Sequence, residues 1–335
     1  MVLGIYIFGD NAFAWRFFSA LFGFGIIVVI YFITLKLFKS RKIALLSSLA
    51  ASLDGLLLVM SRIAMNDSYF LFFSLLALLF FLNKQKFLMG ISLGLAVASK
   101  WAGFYSIAIL LIVYVIKNRK LKNLITLPIF FLIIPFVVYL ASYTPFFLGH
   151  HSPPNQNLSN FQTFIGLQQQ MWWYHTNLKA THAYQSTPTD WLFDLRPVWI
   201  YVDYRGDSVA SIYTLGNPSF MWGGFIAIIF LMFEFIKKRT LNLGIILLSY
   251  FGFFLPWILS PRIMFNYHYL SSSVFLAIAI GFTLNKLLNN KQGKILVFAF
   301  LILMFSLFIY FYPLWTGVYI DKKLYDSYFW LKSWK

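Results

Sequence analysis

FAWRFFSALFGFGIIVVIYFITLKLF, residues 13–38, carries Arg16 near one end, Lys36 near the other, and no charge between them. At about 1.5 Å per residue, a helix of that length crosses the roughly 30 Å hydrocarbon core of a bilayer. Apolar runs of about 18–26 residues recur along the chain, which is 60% hydrophobic and 11% charged. The spans read from them are roughly 13–38, 43–60, 68–82, 87–99, 101–116, 121–141, 218–236, 241–259, 264–284 and 295–312. The expected fold is an all-α polytopic membrane protein of about ten spans with both termini outside. The third and fourth spans are short, and residues 87–116 could instead form a re-entrant pair. Residues 1–8 are too few to cross, and the aromatic and lysine-rich tail 313–335 suits the membrane–water interface.

The net charge of +17 has a direction. With the side after the first span called inside, the inside connections hold 16 basic residues and one acid, Glu234. The other side holds the remaining 11 basic residues and eight aspartates, with Asp54 inside a span. Such asymmetry in short alternate loops is the positive-inside pattern rather than a nucleic-acid footprint. The expected location is the plasma membrane, multi-pass.

One long polar stretch interrupts the spans, so the chain divides into 1–141, an extracytoplasmic loop 142–217, and 218–335. The loop holds four of the five histidines, four tryptophans and four of the nine aspartates. Long loops on a rigid scaffold carry function. Within it, Ser159-Asn160-Phe161-Gln162 reads as a capping box. Phe161, Phe164, Ile165, Gln168, Met171, Trp172 and His175 follow at helical spacing, an amphipathic helix for the membrane surface.

Arg16, Asp54, Arg62, Asp67, Lys100 and Arg262 gather at the outer span ends. Ionisable groups there are costly and mark function by default. The bland alternatives are snorkelling stems and, for Asp67, a carboxylate stabilising a helix N-terminus. Arg62 and Asp67 are five residues apart, about 140° around a helix, so a direct pair is not expected. Arginine matches phosphate bidentately, which points the cations at an anionic group. There is no cysteine, hence no disulfide framework or thiolate metal site. Neither adjacent His150-His151 nor His175 and His182 have metal-ligand spacing. Asn66-Asp67-Ser68 and Asn157-Leu158-Ser159 match the glycosylation sequon. The start lacks the basic region of a cleavable signal.

Several stretches together resemble one family. Phe8-Gly9-Asp10-Asn11 with Trp15-Arg16 and Ala20-Leu21-Phe22-Gly23 is similar to the second-span entry of protein O-mannosyltransferases, especially the bacterial polyprenyl-phosphate-mannose enzymes. Asp54-Gly55, Ser61-Arg62-Ile63-Ala64-Met65 with Asp67, and Ser99-Lys100-Trp101-Ala102-Gly103 resemble its next blocks. Gln170-Met171, Tyr174-His175, Ala180-Thr181-His182 and Arg196-Pro197-Val198-Trp199 resemble its outer loop. Leu255-Pro256-Trp257, Arg262 and Tyr267-His268-Tyr269-Leu270 resemble its late-span motif.

The resemblance implies a C-type glycosyltransferase architecture. It implies transfer of a mannosyl or related hexosyl group from a polyprenyl-phosphate donor to Ser/Thr hydroxyls of exported proteins, without a cofactor. The partners it implies are that lipid-linked sugar, an acceptor protein and the bilayer, with no nucleic acid. Arg62, Lys100 and Arg262 become the donor-phosphate candidates, and Arg16, His175, His182, Arg196, Trp199, Tyr267 and His268 the substrate contacts. The family's first span, and the acidic pair that supplies its catalytic Asp, are expected before residue 1, which leaves Asp67 as the candidate base. A catalytically deficient fragment or half of a split enzyme is the alternative reading. A transporter is disfavoured because the charges cluster at one face instead of the mid-plane.

Overall fold

The computed structural model of the chain describes residues 2–117, 126–149 and 159–335. His150, His151, the sequon at Asn157 and the start of the expected span 121–141 lie outside these residues. The helices in order are α1 (Val2–Phe8), α2 (Ala12–Phe38), α3 (Arg41–Ser52), α4 (Gly55–Arg62), α5 (Asp67–Leu82), α6 (Lys86–Ser99) and α7 (Gly103–Lys117). A π-helical turn, Ile129–Ile133, runs into α8 (Ile134–Ala141) and α9 (Thr144–Leu148), which carries this apolar rod past residue 142. The outer segment holds α10 (Asn160–Asn177), α11 (Pro188–Leu192), and strands β1 (Trp199–Arg205) and β2 (Ser208–Tyr213). Then come α12 (Pro218–Lys238), α13 (Leu241–Phe254), α14 (Leu270–Leu287), α15 (Lys291–Thr316), β3 (Ile320–Asp321) and α16 (Lys322–Ser327).

Among the described residues, six helices are long and apolar enough to cross a membrane: Ala12–Phe38, Ile129–Leu148, Pro218–Lys238, Leu241–Leu259, Asn266–Leu287 and Lys291–Thr316. The stretch 43–60, read as one span, is instead two helices, α3 and α4, bent by 61°. Asp54 makes the break: its carboxylate accepts the amides of Leu56 and Leu57 at 3.1 Å and so starts a new helix. Gly55 follows because a Cβ there would stand 2.1 Å from the Trp315 ring. The shorter helices α5, α6 and α7 have 16, 14 and 15 residues. They run antiparallel, so that the Lys100–Ala102 turn meets the start of α5.

The core is built round α14, with 78% of its apolar window buried against 17% for α15. A helix apolar on every side is either central or lipid-facing, and these two are the extremes. Helices α3, α12 and α13 pack on α14, and α2 packs on α3, α4 and α5.

The outer end departs from the all-α expectation. Strands β1, β2 and β3 form an antiparallel sheet in that order, with Tyr204 opposite Val209 and Val209 opposite Ile320. Aromatic and β-branched residues in Trp199–Arg205 favour this pleat, and Gly206 turns it with φ +56°. Part of the tail packs on protein. Trp334 is buried against Phe311, Tyr325 and Tyr328 in a second apolar core. Its indole donates to Asp194 O at 2.6 Å.

Candidate active site

Asp67 opens α5, where the helix dipole favours a carboxylate, and it is buried. Its Oδ1 lies 2.7 Å from the Lys100 ammonium. Lys100 caps α6 in extended conformation, so its side chain leaves the helix across the start of α5. The next residue, Trp101, donates its indole N–H to Tyr139 Oη at 3.0 Å. That hydroxyl donates on to Gln168 Oε1 at 2.6 Å, and Gln168 Nε2 donates to Tyr143 Oη at 3.1 Å. The outer helix α10 is thereby tied to the bundle. Ser159 and Gln162 start it with the expected capping box.

Seven residues after Gln168, on the same face of α10, His175 stacks on Trp101 with ring centroids 5.8 Å apart. Arg262 comes from the irregular link between α13 and α14. Its guanidinium lies 5.5 Å from the Trp257 ring centroid and 5.9 Å from that of Tyr174. One of its nitrogens is 3.4 Å from His268 Nε2. His268 is buried, and its Nδ1 lies 2.9 Å from Phe265 O. Lys100, Arg262 and His175 lie within electrostatic reach of His268, and Asp67 and Arg262 within reach of Tyr267. Burial first, then repulsion from Arg262 and Lys100, holds the His175 imidazole below its usual pKa.

These side chains border a cavity of about 320 Å³ lined by Lys100, Trp101, Trp172, His175, Trp257 and Arg262. Phe104 belongs both to this wall and to that of an apolar cleft of about 330 Å³ between α6, α7 and α8. The pair offers a cationic, aromatic-walled pocket beside an apolar cleft. It suits an anionic group carried on a hydrocarbon chain. No group of three His, Asp or Glu side chains converges among the described residues.

Asp67, Lys100, His175, Arg262, Tyr267 and His268 are thus brought together. His182 stands at the rim, its ring 5.4 Å from that of Phe265. The other candidates lie elsewhere. Arg62 donates to the carbonyls of Trp315 at 3.1 Å and Thr316 at 3.5 Å, at the end of α15. Arg16 is exposed, close enough to Arg62 for their charges to repel. Arg196 donates to Ser333 O at 2.7 Å and Lys335 O at 2.9 Å, tying the loop to the tail. Trp199 donates to Ser211 Oγ at 2.7 Å and stacks on Tyr213 within the sheet. Sequence reasoning did not single out Tyr139 and Gln168 as site residues. A tyrosine hydroxyl in the apolar run before the loop was the available signal.

Two family models match the chain. One, the dolichyl-phosphate-mannose-protein mannosyltransferase model, matches residues 3–149. The other, the C-terminal four-transmembrane region of protein-O-mannosyltransferase, matches residues 160–334. A polyprenol-phosphate-mannose–protein mannosyltransferase of Mycolicibacterium smegmatis is 25% identical, with 100% of this chain and 80% of that protein aligned. A Corynebacterium glutamicum protein of the same name is 23% identical over 99% of this chain and 79% of its own length. Among solved structures, the Saccharomyces cerevisiae Pmt1–Pmt2 complex bound to the sugar donor superposes with a TM-score of 0.82 at 16% identity. That match covers 96% of this chain and 81% of that one. ArnT from Cupriavidus metallidurans gives 0.55 at 16% identity, over 85% and 48%. With a C-type glycosyltransferase fold and family models matching its two halves, the chain belongs to the protein O-mannosyltransferase family of membrane enzymes.

Proposed function

We propose that the chain moves a mannosyl or related hexosyl group from a polyprenyl phosphate to Ser or Thr hydroxyls of exported proteins. The reaction takes place on the outer face of the plasma membrane. The observation that carries this reading is the cationic pocket of Lys100 and Arg262, which shares Phe104 as a wall with the neighbouring apolar cleft. The cleft takes the first isoprene units, and the pocket takes the phosphate. The names of the mycobacterial and corynebacterial relatives support the same donor class.

As the glycosidic C1–O bond breaks, negative charge grows on the departing phosphate and the sugar gains oxocarbenium character. Arg262 meets the phosphate oxygens through a planar fork and Lys100 through a point charge. His175, Tyr267 and His268 border the sugar. The acceptor oxygen attacks C1, its proton goes to a carboxylate, and the polyprenyl phosphate leaves. Asp67 is assigned that carboxylate. In the resting site it holds Lys100; the donor phosphate draws Lys100 away and exposes the base. Arg62, Arg196 and Trp199 act as anchors of the outer frame rather than as ligands. In the membrane, α5, α6, α7 and the bent α3–α4 pair join the six long helices as crossings, ten in all. The regions 1–141 and 218–335 then flank an extracytoplasmic segment.

Replacing Asp67 by Asn tests this. Transfer of labelled mannose from polyprenyl phosphate to a Ser/Thr peptide should slow by roughly 10²–10⁴-fold. Donor binding should hold or tighten, because Lys100 loses its competitor. Unchanged transfer would remove Asp67 from the chemistry. Unchanged donor binding by Arg262→Ala would remove the pocket.

A further inference from the structure

The opposite end of the α5–α6–α7 layer carries a second cavity, of about 360 Å³, lined by Phe81, Lys84, Lys86, Met89, Tyr114 and Lys117. Lys86 and Lys100 bound the same helix, so the cavity stands about 21 Å from the donor pocket at 1.5 Å per residue. Three lysines line it. Lys84 holds a left-handed backbone, φ +62°, in the tight turn after α5, a conformation non-glycine residues rarely adopt. Lys86 Nζ donates to Tyr114 Oη at 3.1 Å and lies 5.3 Å from the Tyr114 ring and 5.6 Å from the Phe130 ring. Lys117 Nζ lies 5.8 Å from the Phe81 ring. Aromatic faces attract ammonium groups but do not cancel their mutual repulsion.

No protein anion does so either. The sequence holds no Asp or Glu between Asp67 and Asp190. Among the described residues, none of the three lysines is in an ion pair. Glu234, the one acid of the inside connections, is held by Lys238 and, at 3.9 Å, by Lys286. The first turn of α6 has no acidic residue and no side-chain cap at Gln85, so its amides add to the positive field.

We infer that this cavity is a second anion site, one that binds a phosphate group from a lipid headgroup or from solution. Basic pockets between membrane helices, at the end where the positive loops gather, recognise phosphate headgroups through the same charge-assisted contacts. The assignment does not depend on the donor reading, since it uses none of the outer residues.

The test uses the full chain in phosphatidylcholine nanodiscs containing a minor share of phosphatidylglycerol. Bound lipid is read by native mass spectrometry, and inorganic phosphate is titrated against lipid-depleted protein. Wild type and a Lys291→Ala/Lys294→Ala control should retain phosphatidylglycerol above its bulk share. A Lys84→Ala/Lys86→Ala/Lys117→Ala variant should lose that enrichment by at least about tenfold. Lys-dependent binding of inorganic phosphate without lipid enrichment would identify a soluble phosphate as the source. Equal binding of both ligands by wild type and triple variant, or binding of neither by wild type, overturns the site. A triple Lys→Gln variant that still binds polyprenyl-phosphate sugar at the outer pocket shows that the fold is intact.

Discussion

His175 is half-buried over Trp101 with Lys100 and Arg262 nearby, and its imidazole is held below the usual range. It is therefore neutral at neutral pH. On the proposed reading, a donor phosphate between those cations reverses the local field and raises the imidazole pKa in the complex. Binding then takes up a proton, and by linkage the donor affinity strengthens as pH falls. Titrating donor binding between about pH 8 and about pH 5 should show this slope, and His175→Gln should flatten it. A wild-type affinity independent of pH would disconnect His175 from the phosphate. Arg62 illustrates the converse at the same scale. Its guanidinium is engaged by carbonyls at the end of α15, so its charge stabilises a helix terminus.

Among the elements, the buried carboxyl of Asp194 is one of the groups that hold the outer segment. Asp194 has φ +53°, a left-handed value that Asp tolerates. Its Oδ2 accepts the Gly216 amide at 2.6 Å and its Oδ1 the Asn266 amide at 3.3 Å. This fastens the outer segment to the starts of α12 and α14. Burial pushes its pKa from 3.8 up to about 7, against the lowering effect of those two donors. The folded state thus holds its proton more tightly than the unfolded chain. Stability contributed by this group is full below about pH 4 and lost as pH rises towards about 7. Asp194→Ala should lower the thermal midpoint in detergent, a loss of about 1–3 kcal/mol from the stranded Gly216 amide. Asp194→Asn should instead flatten the pH dependence between those limits. A midpoint unmoved by the alanine change would mean that the segment is held elsewhere.

For the molecule as a whole, the charges give a checkable orientation. A reporter inserted at the Gly206 turn should read extracytoplasmic and one fused after Arg239 cytoplasmic, because 16 of the 27 basic residues fall on one side. Opposite results at both positions would invert the bundle and move the proposed donor pocket to the cytoplasmic face. The lysine cavity would change sides with it. An opposite result at one position alone would mean that α12 does not cross. The two pockets lie at opposite ends of the same three helices, whichever way these face.

The sequence alone determined the membrane-helix class and the capped helix at Ser159, because hydropathy and capping patterns are read locally along the chain. The tight grouping of His175, Arg262 and His268 was foreshadowed only as separate motif residues. What tertiary structure decided was pairing at a distance. Asp67 meets Lys100 across 33 positions, and Arg62 meets Trp315 across 253. Tyr139 and Gln168, 29 apart, fasten the outer helix over the pocket. The break at Asp54 hid inside an apolar run because one capping carboxylate hardly alters hydropathy over a window. The sheet and the buried Trp334 were missed for a related reason. A hairpin among aromatics, or a tail rich in them, looks the same in one dimension whether it packs on protein or rests at a membrane surface. Only the tertiary structure shows which of these aromatics pack on protein.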